Sequence, residues 1–224
     1  MKKYAFTLAE VLITLGIIGF IAAMTLPALI QKQIEKHTVT RVKKAYSTIA
    51  NAYRAAQYEY GDNFRKEINW MNSEGRVKFL DKIRPFLDIA IDCKAVEAAV
   101  CFPKLNNRLD PFYYPYLERR GTDYLSKYKN SAVILKDGTM IIIFDSPHNN
   151  MHAVQILVDI NGPSKPNHYG HDTFFFFIED SSKNQLLGKR PISGPTSCQR
   201  NSRDYAYGCA DLILKNDNMD YLRK

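Results

Sequence analysis

The sequence lacks the short motifs by which the commonest catalytic sites are recognised. It contains no G-x-x-x-x-G-K-S/T phosphate loop, no G-x-S-x-G nucleophile turn, no H-E-x-x-H metal-binding pair and no glycine-rich dinucleotide fingerprint. Its four cysteines include no C-x-x-C pair, the spacing typical of zinc ribbons and redox sites. We therefore predict that the chain is not an enzyme.

Excess positive charge is also scarce beyond the first part of the chain. Residues 1–60 hold eight Lys or Arg and three Glu, whereas the remainder holds 23 basic and 20 acidic residues. Domains that bind nucleic acid usually concentrate positive charge on one face. Nucleic acid is therefore not a predicted partner.

Charge is absent altogether from residues 11–30. At a helical rise of about 1.5 Å per residue this run spans roughly 30 Å, the thickness of the hydrocarbon core of a bilayer. It is longer than the core of a secretory signal and predicts a single-pass membrane helix. Lys2 and Lys3 predict a cytoplasmic N-terminus, whereas five basic residues between 32 and 44 favour the opposite orientation. The cysteines suit an oxidising compartment and favour the first orientation.

The N-terminal residues carry a recognisable pattern. A short basic leader, MKKYA, precedes F-T-L-A-E and then the apolar run. This pattern resembles the type IV prepilins, including the pseudopilins of type II secretion. The resemblance implies cleavage by prepilin peptidase between Ala5 and Phe6, N-methylation of Phe6, and assembly roles for Glu10 and Pro27. The leader ends in Ala5 where the family usually has Gly, and a small residue still fits a tight peptidase site.

The resemblance also implies partners and a location. The partners are like subunits in a filament, the prepilin peptidase and an assembly platform in the inner membrane. The implied location is the bacterial inner membrane as a single-pass protein, with the C-terminal domain periplasmic or extracellular, and afterwards a pilus or pseudopilus. A carboxylate such as Glu10 at the start of a span is costly unless it is paired. The new α-amino group of Phe6 on a neighbouring subunit is its natural partner.

The helical pattern continues past the span. Apolar residues recur at steps of three and four from Ile34 to Tyr60, which is one face of an amphipathic helix. Gly61 and Asp62 predict its end, and Pro27 predicts a kink or local melting. The predicted organisation is a leader at 1–5, a transmembrane and assembly helix at 6–30, its amphipathic continuation at 31–60, and a globular domain at 61–224.

The globular part predicts an antiparallel sheet. The segment SAVILKDGTMIIIFD predicts strands at 131–136 and 139–145 around an Asp137-Gly138 turn. Further strands are predicted at 152–159 and 172–180, and four consecutive phenylalanines suit a strand that is covered on both faces. The predicted fold class is α+β, with the long N-terminal helix packed on a mainly antiparallel sheet, and the resemblance implies a pilin-like arrangement.

Residues 63–130 give weaker patterns. Apolar residues from Val77 to Leu87 predict a short helix that Pro85 interrupts. The segment DPFYYPYLERR at 110–120 predicts a packed, proline-braced loop, with a binding surface as the alternative.

The four cysteines fall into two local pairs, Cys93 with Cys101 and Cys198 with Cys209. Four cysteines allow three connectivities. In an exported protein the local pairs predict two short-loop disulfides. Four buried free thiols are the alternative.

A loop before the fourth strand offers oxygen ligands to calcium. Asp159, Asn161 and Asp172 carry the side-chain oxygens that calcium prefers. An EF-hand is excluded because Pro163 and Gly170 occupy its fifth and twelfth positions. Some pseudopilins, the group that the chain resembles, hold calcium in a C-terminal loop. Calcium is the one cofactor for which the sequence offers candidate ligands.

The predicted function is that of a structural subunit of a type II secretion-like pseudopilus. After peptidase cleavage, subunits would assemble through helical packing of their N-terminal helices. One alternative is a type IV pilus subunit for adhesion, twitching or DNA uptake. A second alternative, from another class, is a membrane-anchored periplasmic binding domain or enzyme.

Overall fold

The structure, a computed structural model, describes residues 7–62, 64, 68, 73–102, 126–144, 153–164, 168–179, 186–187, 198 and 207–223. The chain divides into two compact units, Met1–His37 and Thr38–Lys224. Ala5 and Phe6, at the cleavage site that the resemblance implies, lie outside the described residues, and so does the aromatic segment at 110–120.

One helix, α1, runs from Leu8 to Tyr60. It ends at Gly61, whose φ of +89° lies in the left-handed region that glycine adopts readily. Ile34 and Tyr60, the ends of the predicted apolar face, are exposed. Between them the prediction holds, because the buried residues of α1 recur at helical spacing. They are Thr38, Val39, Val42, Ala45, Ile49, Ala50, Ala52, Tyr53 and Ala56.

Six strands form one antiparallel sheet within the described residues, and each strand pairs with the next along the chain. The strands are β1 (Ile89–Asp92), β2 (Ala132–Leu135), β3 (Met140–Phe144), β4 (Ala153–Asp159), β5 (Thr173–Glu179) and β6 (Leu186–Leu187). The α+β class is therefore confirmed.

The predicted hairpin is confirmed as β2 and β3. Ile134 lies opposite Met140, and Gly138 in the turn between them has a φ of +85°. The predicted strands at 152–159 and 172–180 correspond to β4 and β5. Positions 145, 152 and 180, at which three of the predicted strand ends fall, lie outside the described residues. The sequence patterns did not predict β1 or β6, which are short and lie at the two ends of the strand order.

Short helices and 3-10 turns accompany the sheet in the described part of the second unit. They are α2 (Ser73–Ile83), α3 (Ala98–Cys101), α4 (Cys209–Asn216) and the 3-10 turn Ser126–Ser131, with the shorter 3-10 turns at Arg84–Phe86 and Asp220–Arg223. The predicted short helix is α2. It gives way to a 3-10 turn after Ile83 because Pro85 disfavours a regular α conformation at Arg84, the residue before it.

One face of the sheet forms a core with helices of the second unit. Alternate strand residues, among them Ile141, Ile156 and Phe176, join one buried apolar cluster with Ile49 of α1 and Ile213 of α4. Tyr46 of α1 lies over the ring of Phe176, with centroids 5.9 Å apart. The amphipathic half of α1 is therefore packed on the sheet, as the periodicity predicts.

The opposite face of the sheet carries a second buried cluster. Phe175 and Phe177 lie on this face with Tyr128 and Tyr169. Since Phe174 and Phe176 belong to the first cluster, β5 is covered on both faces, as its run of phenylalanines predicts.

Both predicted disulfides are present. Cys93 pairs with Cys101 at a Cα separation of 6.0 Å, and Cys198 pairs with Cys209 at 4.8 Å. No cysteine is free, so the alternative of four free thiols is wrong.

Candidate functional site

Among the residues that the structure describes, two groups carry unusual polar chemistry. The first lies at the start of α1 and includes Glu10. The second lies between β4 and β5 and includes Asp159 and Asp172. They belong to different units and are described separately.

Glu10 is held by a residue of its own helix. Its Oε2 accepts hydrogen bonds from the backbone N–H and the hydroxyl of Thr7, each at 2.8 Å. The Glu10 N–H in turn donates to the Thr7 hydroxyl at 3.2 Å. This reciprocal pattern is a capping box, which satisfies N–H groups that the first turn of a helix leaves open.

The sequence patterns did not predict the capping box, although its residues carry a signature. Thr7 and Glu10 are three residues apart directly before the apolar run, which is the S/T-x-x-E spacing of a helix start. The box fixes where α1 begins. It also places the Glu10 carboxylate at the positive end of the helix dipole.

The stretch of α1 that follows Glu10 exposes apolar side chains in every direction. Leu12, Ile13 and Phe20 are each more than half exposed, and the same is true of most large side chains as far as Ile30. A helix that is apolar all round is stable only when lipid or other helices cover it. By length and composition, α1 is the one helix of the described residues that is able to cross a membrane.

Pro27 lies inside α1 without interrupting it. The helix is continuous from Leu8 to Tyr60, so the local melting that was predicted as one outcome does not occur. Proline has no N–H, and the carbonyl of Ala23, four residues earlier, therefore loses its usual donor. The weakened point lies within the apolar stretch.

Asp159 and Asp172 form a buried carboxyl pair. They are 4% and 6% exposed, and both lie near the hydroxyl of Thr173. The Thr173 Oγ1 is 3.5 Å from Oδ2 of Asp159 and 3.4 Å from Oδ1 of Asp172. Because one hydroxyl proton serves two acceptors, a single hydrogen bond from Thr173 does not satisfy both carboxylates at once.

The strands and the loop between them position this pair. Asp159 ends β4 opposite Thr173, which begins β5. The Asp159 Oδ1 accepts the N–H of Asn161 at 3.2 Å, and the Asp172 Oδ1 accepts the N–H of His168 at 2.5 Å. Backbone donors from both described parts of the loop, 160–164 and 168–172, therefore point at the two carboxyl groups.

Burial raises the pKa of Asp159 to about 8, and the neighbouring Asp172 carboxylate adds to the rise. Hydrogen bonds from Asn161, Thr173 and Gly162 lower the pKa but do not offset this effect. The pair therefore holds a proton near neutral pH, unless a cation replaces it.

The structure brings two of the three predicted calcium ligands close together. Asp159 and Asp172 come together, and Asn161 lies in the same loop, with its Nδ2 donating to the Ser164 carbonyl at 2.8 Å. Calcium takes six to eight oxygen ligands. The described residues contain no group of three or more His, Cys, Asp or Glu side chains placed to hold a metal. The carboxylates suit calcium chemically, and backbone carbonyls and water would have to complete the shell.

No family model, no curated protein and no solved structure matches this chain.

Proposed function

We propose that this chain is a structural subunit of a helical filament, a type IV pilin-like protein of the type II secretion pseudopilus kind. One observation carries the proposal. The first part of α1 exposes apolar side chains on all sides, while the second unit has a closed core that includes no residue before Val39. The exposed stretch is therefore a surface for lipid or for like helices.

The mechanism uses the same stretch twice. As a single-span precursor, the chain rests in the inner membrane with its apolar residues in lipid. Prepilin peptidase then cuts before Phe6, and an inner-membrane assembly platform helps to extract the subunit. In the filament, neighbouring N-terminal helices replace the lipid around residues 11–30. The apolar area stays out of water in both states, so the exchange costs little hydrophobic free energy.

Glu10 is the residue that would set the position of each subunit in the stack. In the single chain its carboxylate accepts hydrogen bonds from Thr7. In the filament, the α-amino group of Phe6 from a neighbour would become its ionic partner. Leaving one member of a buried ion pair alone costs about 3–5 kcal/mol, so misaligned subunits would be disfavoured.

Location follows from the same proposal. The N-terminus would lie in the cytoplasm, and the second unit would lie in the periplasm or outside the cell, where its two disulfides are stable.

The mature N-terminus tests this proposal. The protein is purified from its native membrane, and the N-terminal peptide is identified by mass spectrometry. We expect a chain that begins at Phe6 and carries an N-methyl group. Ala5→Leu serves as the control, because a larger side chain in a tight peptidase site should leave the leader attached. An intact Met1, or cleavage at residue 22 or later, would exclude the proposed class and favour a simple membrane anchor or a secretory signal.

A further inference from the structure

Part of α1 within the second unit is attached to the sheet by polar contacts with one turn. Arg41 donates a hydrogen bond from Nη2 to the carbonyl oxygen of Asp137 at 2.8 Å. Lys44 forms an ion pair with the Asp137 carboxylate at 2.8 Å. The N–H of Thr139 holds the other oxygen of that carboxylate at 3.0 Å. The turn between β2 and β3 is thus tied to α1 at two points.

The loop between β4 and β5 rests on the same turn. Gly162 has a φ of +64°, and a Cβ at this position would lie 2.7 Å from the carbonyl oxygen of Gly138. Cβ atoms do not approach a backbone oxygen this closely without a shift of the backbone. The close contact between Gly162 and Gly138 therefore connects the loop that follows Asp159 to the turn that holds α1.

The C-terminal segment makes a second connection. The Tyr221 hydroxyl donates to the carbonyl oxygen of Gly170 at 2.5 Å. Asp217, which precedes it, forms an ion pair with Lys43 of α1 at 2.6 Å. The β4–β5 loop is thus linked to α1 at its Gly162 end through the turn, and at its Gly170 end through the C-terminal segment.

These contacts differ in kind from those further along α1. Lys43 and Lys44 are 40% and 61% exposed, and ion pairs this exposed are individually weak. The buried apolar residues beside them, Val39, Val42 and Ala45, have small side chains, and the larger Tyr46 is only partly buried. Ile49 and Tyr53, by contrast, are large and fully buried. The first turns of α1 within the second unit are therefore easier to detach from the sheet than the turns around Ile49 and Tyr53.

We propose that the Asp137-Gly138 turn, residues 160–164 and 168–172 of the β4–β5 loop, and the segment 217–221 form a clasp that holds residues 38–46 of α1 against the domain. Rearranging these parts of the loop releases residues 38–46 while the sheet stays folded. A ligand or modification that reorders the loop would then act on α1. By linkage, detaching α1 would act equally on the loop. The clasp lies wholly within Thr38–Lys224, so it stands whether or not the chain assembles into filaments.

Hydrogen exchange of the full chain in detergent micelles, followed by mass spectrometry, tests the clasp. Gly162→Ala pushes the loop off the turn. We expect the exchange rate of peptides within 38–46 to rise about tenfold, while peptides within 49–56 of α1 and within β4 change much less, as local opening requires. A rise of equal size in all three regions would indicate global destabilisation and would overturn the proposal.

Gly61→Ala is the matched control. Gly61 also has a positive φ, of +89°, but a Cβ there would meet nothing within 4 Å. The variant therefore carries similar backbone strain without a clash, and we expect it to leave exchange within 38–46 unchanged. The same rise in both variants would contradict the clasp.

A double substitution tests the route of the coupling. In the Arg41→Ala, Lys44→Ala background the turn no longer holds α1, so adding Gly162→Ala should raise exchange within 38–46 by less than about twofold further. A full additional tenfold rise would show that the loop does not act through the turn.

Tyr221→Phe is the alternative variant if Gly162→Ala does not fold, because it removes only the hydroxyl donor to Gly170. We expect a rise of about threefold within 38–46, and no rise in this variant would also overturn the clasp.

Discussion

At the scale of single residues, Glu10 has a partner within its own chain. The Thr7 capping box bonds its carboxylate locally, so a single subunit does not depend on a neighbour to satisfy this acid. Under the proposed function, assembly would exchange that local bond for an ionic contact between subunits. Charge on Glu10 then matters for assembly, whereas hydrogen bonding alone is sufficient for the isolated helix.

Glu10→Gln separates these two roles. Glutamine at the third helical position still completes a capping box, but it provides no charge for a neighbour's α-amino group. We expect the variant to insert and to be cleaved normally, and filament yield to fall at least about tenfold, since about 1.4 kcal/mol already changes an equilibrium tenfold. Filaments sheared from cells and quantified by immunoblot give the measurement.

Glu35→Gln provides the matched control on the same helix. Glu35 accepts a bond from Gln31 at 3.1 Å and lies beyond the apolar stretch, so filament yield should not change. Normal assembly of Glu10→Gln would remove Glu10 from the proposed mechanism.

The buried pair of Asp159 and Asp172 predicts an unusual pH dependence. The pKa of Asp159 is about 8 in the folded chain against an ordinary 3.8. The folded state therefore binds more protons than the unfolded state between these values, and the free energy of unfolding should fall as pH rises from about 4 to about 8. In Asp159→Asn this decline should be much reduced. Urea denaturation in EDTA at about pH 5 and about pH 8 measures it.

Adding calcium gives a second test of the same carboxyl pair. If the pair binds calcium as predicted, adding calcium at about pH 8 should raise the melting temperature, because a ligand that binds only the folded state stabilises it. The shift should vanish in Asp159→Ala. A melting temperature that calcium does not change would leave the pair as a proton-sharing site and nothing more.

At the scale of elements, the surroundings of α1 change along its length. Its early residues are apolar on every side and exposed, and its later residues bury one face against the sheet. The periodicity of the sequence distinguishes these parts, because a helix that meets one partner needs only one apolar face.

Two isoleucines of α1 test this difference. Ile49 is fully buried and Ile34 is 54% exposed. Ile49→Ala should lower the free energy of unfolding of the second unit by about 2–5 kcal/mol, through lost burial and a cavity. Ile34→Ala, the same change on the same helix, should lower it by no more than about 0.5 kcal/mol. Urea denaturation followed by circular dichroism measures both, and equal effects would contradict the core described above.

The strands of the sheet differ in how clearly the sequence predicts them. The β2–β3 hairpin, β4 and β5 carry long apolar or alternating runs, and the Asp137-Gly138 turn marks the hairpin, so the sequence predicted them. The strands β1, with four residues, and β6, with two, carry no such run and lie at the ends of the sheet. Such an edge strand forms because its neighbour in the sheet offers it backbone hydrogen-bond partners, and its own residues carry too little pattern to predict it.

At the scale of the whole molecule, the second unit has a complete core of its own. The buried cluster that joins α1 to the sheet begins at Val39, and the unit boundary lies between His37 and Thr38. We expect a chain that begins at Thr38 to fold as a monomer, with a melting temperature within about 2–4 °C of the full chain, the shift that about 1 kcal/mol produces in a domain of this size.

Light scattering coupled to size exclusion, with thermal melts monitored by circular dichroism, measures this outcome. The full chain in detergent is the reference. An aggregated or unfolded product would mean that residues before Thr38 contribute to the stability of the domain.

The sequence by itself determined the apolar stretch, its continuation as an amphipathic helix, the local cysteine pairs and the central strands. Each of these depends on residues close together in the chain, where helical or strand periodicity and short loop closure act directly.

The tertiary structure alone decided how Asp159 and Asp172 meet, how Gly162 rests on Gly138, and how Arg41 and Lys44 hold the turn. These contacts join residues far apart in sequence. Their chemistry arises from burial and from the approach of distant groups, and no local pattern records either.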